Sequence, residues 1–479
     1  MIFNSFDFLW LFPIIFCAYY FLAQRFKSDE KKTRMSNYFL ILISYLLYAR
    51  WNIGSVAILL GITLISYSFA LLLSDRKVAI PNRKYIFYLG VLLTLSPLIL
   101  IKYLDFFGQV FVDALSIAGI NASPLPGLNW IMPLGISFYT LQAIGYLSDV
   151  YHDRIETERN WWNYMLFICF FPQIVSGPIS KAEHLLPQIK NARPFDEAQI
   201  IQGLRWLLWG MFLKVVVADR LGIVVDSIYN GYNHYCGTFC FMGSIFYSFQ
   251  IYTDFAGYSF MALGVGMLMG FNLINNFNRP YFSQSITEFW HRWHISLSIW
   301  LRDYIYIPLG GNRCTKFRNR LNILFTFLVS GIWHGANWTF IFWGGIHGII
   351  QVVEKQLRLA RLSSRGFLSF TRIIVTFLLA NFAWVFFRMP TINDAFMFVG
   401  KIFTDVNFSV DIELNTILWC FVLIFVVSLK DTADEFNIRQ LRLLHHPSVM
   451  VRWSSYIAIL VTILFCGVFD AGQFIYAMF

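Results

Sequence analysis

His334 stands inside Val329-Ser-Gly-Ile-Trp-His-Gly-Ala-Asn-Trp338, an apolar and aromatic stretch. Trp333 precedes it, and Gly335, Ala336 and Asn337 follow, so small residues leave room beside the imidazole for a ligand or a second backbone. An imidazole titrates near neutrality, and its uncharged form accepts a proton, which suits a general base acting on a thioester or a hydroxyl. A second histidine, His294, lies upstream in Phe289-Trp-His-Arg-Trp-His-Ile-Ser-Leu-Ser298. Ionisable groups in apolar segments are costly to insert and are by default functional candidates. Two such histidines on separate segments point to proton transfer or acyl transfer inside a membrane. The plainer alternative is packing: His334 bridging two spans, and His294 donating one hydrogen bond in a core.

Other residues compete for roles. Asp254, in Gln250-Ile-Tyr-Thr-Asp-Phe-Ala-Gly257, is an acid within an apolar run, and its expected partner is one of the histidines or a loop arginine. Arg279, Tyr281, Arg302, Asp303 and Arg313 form a polar shell where a phosphate-bearing donor such as a coenzyme A thioester would dock, although basic loops are also ordinary topology signals. His347, in Phe342-Trp-Gly-Gly-Ile-His-Gly348, has the glycine-rich setting of a helix contact and reads as structural. Glu288, His291 and His294 follow E-x-x-H-x-x-H, but zinc motifs place two histidines at i and i+4, and no cluster supplies a third ligand. No metal is expected. Cys236 and Cys240 are too isolated for zinc, with a disulfide open to them if their loop is outside; Cys17, Cys169, Cys420 and Cys466 read as small hydrophobes. The chain carries no Walker A or dinucleotide fingerprint, which argues against nucleotide hydrolysis.

The elements that must position these residues are apolar helices. Hydrophobic residues make up 57% of the 479 and charged ones 13%, about half the charged share of a soluble domain. The apolar runs are too continuous for barrel strands, which alternate at period two, so the expected fold is all-α, a single polytopic membrane domain over 1–479. Expected spans are 6–25, 37–50, 52–73, 85–104, 131–149, 199–217, 238–271, 321–336, 338–355, 370–388, 415–430 and 452–469, about 11–12 crossings. The first lacks the basic start and cleavage site of a signal peptide and is expected to stay as a span. The stretch 161–179 holds Phe171-Pro-Gln and Ser176-Gly-Pro-Ile, and its two prolines mark it as re-entrant. The run 238–271 exceeds one crossing and contains Gly257, Gly264, Gly266 and Gly270, so a bend or return is expected there. Wound as one helix, 288–305 puts His294 on a broad aromatic face with Trp290 and Trp293, and sets Glu288, Arg292, Ser296, Arg302 and Asp303 opposite. Such a helix would lie at the cytoplasmic interface or dip toward a central cavity.

The net charge of +10 does not imply nucleic acid, because the basic residues sit in short loops. Arg25, Lys27, Lys31, Lys32 and Arg34 follow the first span, and Arg76, Lys77, Arg83 and Lys84 follow the third. The loop Arg50-Trp-Asn52 is nearly free of charge. The N-terminus is therefore expected outside, with cytoplasmic stretches at about 273–320 and around Lys355, Arg358, Arg361 and Arg365, and an outer stretch over 390–413.

The chain resembles the membrane-bound O-acyltransferase superfamily, in its alginate O-acetyltransferase membrane-component branch. The resemblance is carried by Pro133-Leu-Gly-Ile-Ser-Phe-Tyr-Thr-Leu-Gln142, Phe170-Phe-Pro-Gln-Ile-Val-Ser-Gly-Pro178 and Gln250-Ile-Tyr-Thr-Asp-Phe-Ala-Gly-Tyr258. It continues through Asn276-Phe-Asn-Arg-Pro-Tyr281, Trp293-His-Ile-Ser-Leu-Ser298 and Arg302-Asp-Tyr-Ile-Tyr-Ile-Pro-Leu-Gly-Gly-Asn312, then Trp333-His-Gly-Ala-Asn-Trp338 and Gln473-Phe-Ile-Tyr476. By that resemblance His334 takes the place of the family's essential histidine and His294 that of its second. Phe260 departs from the pattern, which has an acid after Gly-Tyr-Ser.

The resemblance implies a ring of tilted helices around a central tunnel. In it an acyl group, expected to be acetyl from acetyl-CoA, passes from a cytoplasmic thioester toward an extracytoplasmic polysaccharide hydroxyl. His334 would be base or relay, and His294 would orient the thioester. It further implies a bacterial inner membrane, no tightly bound cofactor, and an extracytoplasmic esterase-like partner, since this chain has no Gly-x-Ser-x-Gly elbow of its own. The rival reading is a transporter or flippase that moves an acyl donor or lipid-linked sugar without chemistry, for which the broken segment and Asp254 would be natural.

Overall fold

The computed structural model describes residues 3, 5–74, 80–120, 131–175, 177–359, 366–407 and 412–469. Arg76, Lys77, Ser176, Arg361, Arg365, positions 408–411 of the expected outer stretch and the Gln473-Phe-Ile-Tyr476 motif lie outside the described residues. Every regular element among the described residues is helical. The chain packs as two compact units, one of residues 1–2, 6–200 and 265–274, the other of 3–5, 201–264 and 275–479.

In the first unit run α1 (Phe6–Gln24), α2 (Asp29–Ala49), α3 (Ile53–Ser74), α4 (Ile80–Leu98), α5 (Leu104–Ile117), α6 (Ile136–Tyr151), α7 (Trp161–Cys169), α8 (Phe171–Ile174) and α9 (Ala182–Lys190). A π-helical turn, Ile99–Tyr103, joins α4 to α5 just after Pro97. Pro172 has no N–H to give the carbonyl four residues back, and the chain leaves the helix at Phe170 between α7 and α8. Two buried glutamines stitch that break to α6. Gln142 donates to the Phe167 carbonyl, and Gln173 donates to Gln142 Oε1 at 3.0 Å. Gly135 opens α6 at φ 74, where an added Cβ would strike the Ile174 carbonyl, so glycine is required twice over.

The second unit is built from α10 (Glu197–Met211), α11 (Asp219–Asn230), α12 (Gly237–Leu268), α13 (Ile286–Arg292), α14 (Ile295–Leu301), α15 (Lys316–His334), α16 (Trp338–Gln356), α17 (Phe367–Arg388), α18 (Ile392–Thr404), α19 (Leu414–Glu435) and α20 (Val449–Cys466). Residues 197–200 of α10 and 265–268 of α12 belong to the first unit. π turns at Phe212–Ala218 and Arg302–Tyr306 interrupt it, a feature common near functional sites.

Helix overlaps each of the twelve expected spans, and five helical segments are long and apolar enough to cross a membrane by length and composition. They are Ile53–Ser74, Asn82–Ile117, Phe367–Arg388, Leu414–Glu435 and Val449–Cys466. Two expectations are corrected. The run 238–271 does not turn back: α12 is one helix of 32 residues. Its glycines serve close packing, since a Cβ on Gly257 would meet the Gly210 carbonyl at 2.8 Å and one on Gly264 the Gly203 carbonyl at 2.6 Å. Cys236 and Cys240 are buried and one helical turn apart, with no disulfide between them.

Candidate active site

The expected single helix over 288–305 is broken in the middle. α13 ends at Arg292, Trp293 is extended, and His294 has φ 44 and ψ 53, the left-handed region that costs a non-glycine residue about 1 kcal/mol or more. Asn276 holds the turn on both sides: its carbonyl accepts from Ile295 N at 3.1 Å and its side-chain oxygen accepts from Ser296 N at 3.1 Å. The break and the π turn at Arg302–Tyr306 change the helical register, so Ser296 and Asp303, expected on the polar face, are buried. Glu288, His291 and His294 accordingly do not share one helix face; His291 is exposed and Glu288 pairs with Arg292 at 2.7 Å.

Two further groups fix α13. Ser285 caps it through Glu288 N at 3.0 Å, and the buried carboxylate of Glu354, from α16, accepts from Ile286 N at 2.7 Å and from Thr287 N at 2.9 Å. These bonds satisfy N–H groups that a helix start leaves without intrahelical partners.

His334 is the last residue of α15, and only 2% of it is exposed. The α15–α16 hairpin packs backbone to backbone to place it. An added Cβ at Gly331 would strike the Phe340 carbonyl, one at Gly335 the Phe340 ring, and one at Gly344 the Phe327 carbonyl. The imidazole lies edge-on to Trp343 at 4.9 Å and to Phe387 at 5.3 Å. His294, fully buried, meets Phe255 at 4.7 Å and Trp333 at 5.8 Å. The centroids of the two imidazoles are 6.4 Å apart. The structure thus brings together the two histidines singled out in the sequence, with Trp333 touching both.

Asn337 is taken up in local structure: its oxygen caps α16 through Thr339 N at 3.1 Å, and its amide donates to the Pro390 carbonyl at 3.0 Å. Asp254 pairs with Lys214 at 2.6 Å, and Lys214 also reaches Asp219 at 2.7 Å. Phe260, where an acid was anticipated, packs its ring on Trp206 at 4.7 Å.

The expected polar shell divides in two. Arg279, at φ 45, pairs with Glu435 at 2.7 Å, and Arg292 reaches the same carboxylate at 2.9 Å. Tyr281 donates to the Ser248 carbonyl and lies in the aromatic cluster of Phe289 and Trp293. These residues tie the 275–293 segment to α12 and α19. Arg302 instead lines a cavity of about 1020 Å³ and pairs with Asp303 at 2.7 Å; that carboxylate raises the guanidinium pKa above its usual value.

Lys316, Arg320, Lys355 and Arg358 line the same cavity, and Trp290, Ile323 and Phe327 form part of its apolar wall. In the sequence, the 273–320 stretch, Lys355 and Arg358 read only as topology signals. Lys316 and Arg320 are one turn apart at the start of α15, spacing that aims both the same way. Asn319 and Asn322 hold the adjoining Pro308-Leu-Gly-Gly-Asn312 loop, both donating to the Gly311 carbonyl. The cavity joins cationic groups able to hold phosphates to an apolar wall.

Residues 2–393 match the family described as MBOAT, membrane-bound O-acyltransferase family. The chain is 35% identical to the probable alginate O-acetylase of Azotobacter vinelandii over 441 residues, covering 90% of this chain and 85% of that one. It is 34% identical to the peptidoglycan O-acetyltransferase of Helicobacter pylori, covering 82% and 78%. Similarity to the teichoic acid D-alanyltransferase of Streptococcus thermophilus is 31%, over 57% of this chain and 65% of that one.

Proposed function

The chain belongs to the membrane-bound O-acyltransferase family, and from that premise we propose that it moves an acetyl group from a cytoplasmic thioester, acetyl-CoA, across the membrane for O-acetylation of an extracytoplasmic polysaccharide. The observation that carries this reading is α15 itself. Its first turns, with Lys316 and Arg320, line the cationic cavity, and its last residue is His334. Arg320 and His334 are separated by roughly 21 Å along the helix, at 1.5 Å per residue, a reach suited to an extended pantetheine arm whose phosphates stay with the cations.

In this reading the thioester carbonyl lies between the two imidazoles. His334 takes the proton of the attacking hydroxyl as the new C–O bond forms. The C–S bond then breaks, and the proton passes to the departing thiolate, so the imidazole ends unchanged. His294 orients the carbonyl; its strained backbone and the Asn276 clamp fix where that ring points. Trp333 walls the site, and Arg279 and Tyr281 secure the segment that bears His294. Asp254 acts through Lys214.

The polysaccharide acceptor is supported by the alginate and peptidoglycan enzymes the chain is similar to. An extracytoplasmic esterase-like protein receives the group or completes its transfer, and the membrane is the bacterial inner membrane with the N-terminus outward. The test is acyl incorporation by purified protein in liposomes supplied with labelled acetyl-CoA on the side of the basic loops. Label in ester linkage on an acceptor at the opposite face, with release of free thiol, is the expected result. Label crossing the membrane while still a thioester would make the protein a transporter.

A further inference from the structure

His347 has no part in the chemistry proposed above, yet it is fully buried and directly linked to the cavity wall. Its Nδ1 accepts a hydrogen bond from the Trp290 indole N–H at 3.3 Å. Trp290 is a lining residue of the cationic cavity, and its ring also packs on Phe327 at 5.2 Å and on Trp343 at 5.7 Å. Trp343 in turn touches His334 at 4.9 Å. Phe327 lies seven residues before His334 on α15, roughly 10 Å away at 1.5 Å per residue. Two indoles, Trp290 in the cavity wall and Trp343 behind it, thus link the cavity to His334.

On the route through Trp343, an acyl group leaving the cavity for His334 meets the Trp290 ring. Indoles have few rotatable bonds, so what fixes the ring is its packing and its one hydrogen bond. That bond is made inside an apolar cluster, where Phe289 stacks on His347 at 6.2 Å and Trp343 crosses it at 5.0 Å, and where an indole N–H without an acceptor would be costly. Phenylalanine or leucine in place of His347 would fill the space and leave the indole free to swing.

We propose that His347 is a positioning residue for donor selection: it latches the Trp290 indole in the cavity wall, and the latched ring limits the acyl group delivered toward His334 to the shortest chains. The inference rests on the acyl-transfer reading, and the experiment separates the two. Purified protein in liposomes is given acetyl-, butanoyl- and octanoyl-CoA, and transfer is measured for wild type, His347→Phe, His347→Gln and Trp290→Phe at matched protein amounts. In His347→Phe the butanoyl-to-acetyl ratio of kcat/KM rises by about tenfold or more, the scale of discrimination a hydrophobic pocket gives. His347→Gln, whose side-chain oxygen can still accept from the indole, stays near the wild-type ratio. Trp290→Phe widens the ratio by itself, and adding His347→Phe to it changes nothing more.

A ratio unmoved in His347→Phe, or moved equally in His347→Gln, overturns the latch. If His347→Phe does not accumulate, an unmoved ratio in Trp290→Phe overturns it as well. Absence of transfer from every thioester by wild type overturns the acyl-transfer reading together with it, whereas acetyl transfer with no chain-length shift in the variants overturns the latch alone.

Discussion

The imidazoles of His294 and His334 stand with ring centroids 6.4 Å apart, although one ends the long helix α15 and the other sits on a left-handed turn between two short helices. Two separate constraints bring them there. Close α15–α16 packing places His334, and the Asn276 clamp places His294.

The clamp makes the first prediction. Asn276→Ala removes the acceptor for Ser296 N, and the His294 backbone then relaxes from its strained conformation. Catalytic turnover should fall by about ten- to a hundredfold while donor KM changes little, because misplacement acts on geometry rather than on binding. Steady-state kinetics in proteoliposomes tests this; a change confined to KM would contradict it.

The hairpin makes the second. Gly331→Ala sets a methyl group against the Phe340 backbone carbonyl, and Gly335→Ala sets one against the Phe340 ring. Each should cost about 1–3 kcal/mol through overpacking. Phe340→Ala should rescue Gly335→Ala and leave Gly331→Ala unimproved, since only the former clash is with a side chain. Thermal unfolding in detergent distinguishes the pair.

Lys214 lies between Asp219 and Asp254, at 2.7 and 2.6 Å, and all three side chains are buried. Lys214→Met leaves two carboxylates without their shared cation and should destabilise the protein by about 3–5 kcal/mol, as breaking a buried ion pair does. Lys214→Met combined with Asp219→Asn and Asp254→Asn should recover much of that loss. A Tm for the single variant equal to wild type would show the cluster to be without structural weight.

Arg320 and Lys355 line the cavity from α15 and α16. Reversing either charge, as Arg320→Glu or Lys355→Glu, should raise the acetyl-CoA KM several-fold with kcat nearly unchanged. The effect should shrink as salt is added, because such charges are screened. An equal loss of kcat at every salt concentration would place these residues outside donor binding.

Much of the fold, and the two histidines at the centre of the candidate site, could be read from the chain. The helix positions follow from apolar runs, and His294 and His334 stood out because ionisable groups in aromatic segments are costly. What escaped has physical causes. The helical wheel over 288–305 assumed one register, and a left-handed residue plus a π turn changed it, so Ser296 and Asp303 turned inward. Nothing local in Trp293-His-Ile announces that turn; it is held by Asn276, distant in sequence. The glycines of α12 could mark either a hinge or a packing seam, and only the neighbouring Gly203 and Gly210 backbone decides for the seam. Lys214 lies inside Phe212-Leu-Lys-Val-Val-Val-Ala218, where the cost of a charge in an apolar run marks it as much as it marks Asp254. The cavity cations were visible as charges, but which of them face one space depends on how α15 and α16 pair.

The most direct test of the account is the amount of ester-linked acetate on the host's extracellular polysaccharide, compared between wild type and His334→Ala at matched membrane abundance. The account predicts that acetate is lost while the variant remains folded and inserted. Acetate unchanged in His334→Ala would contradict it, removing that histidine from catalysis.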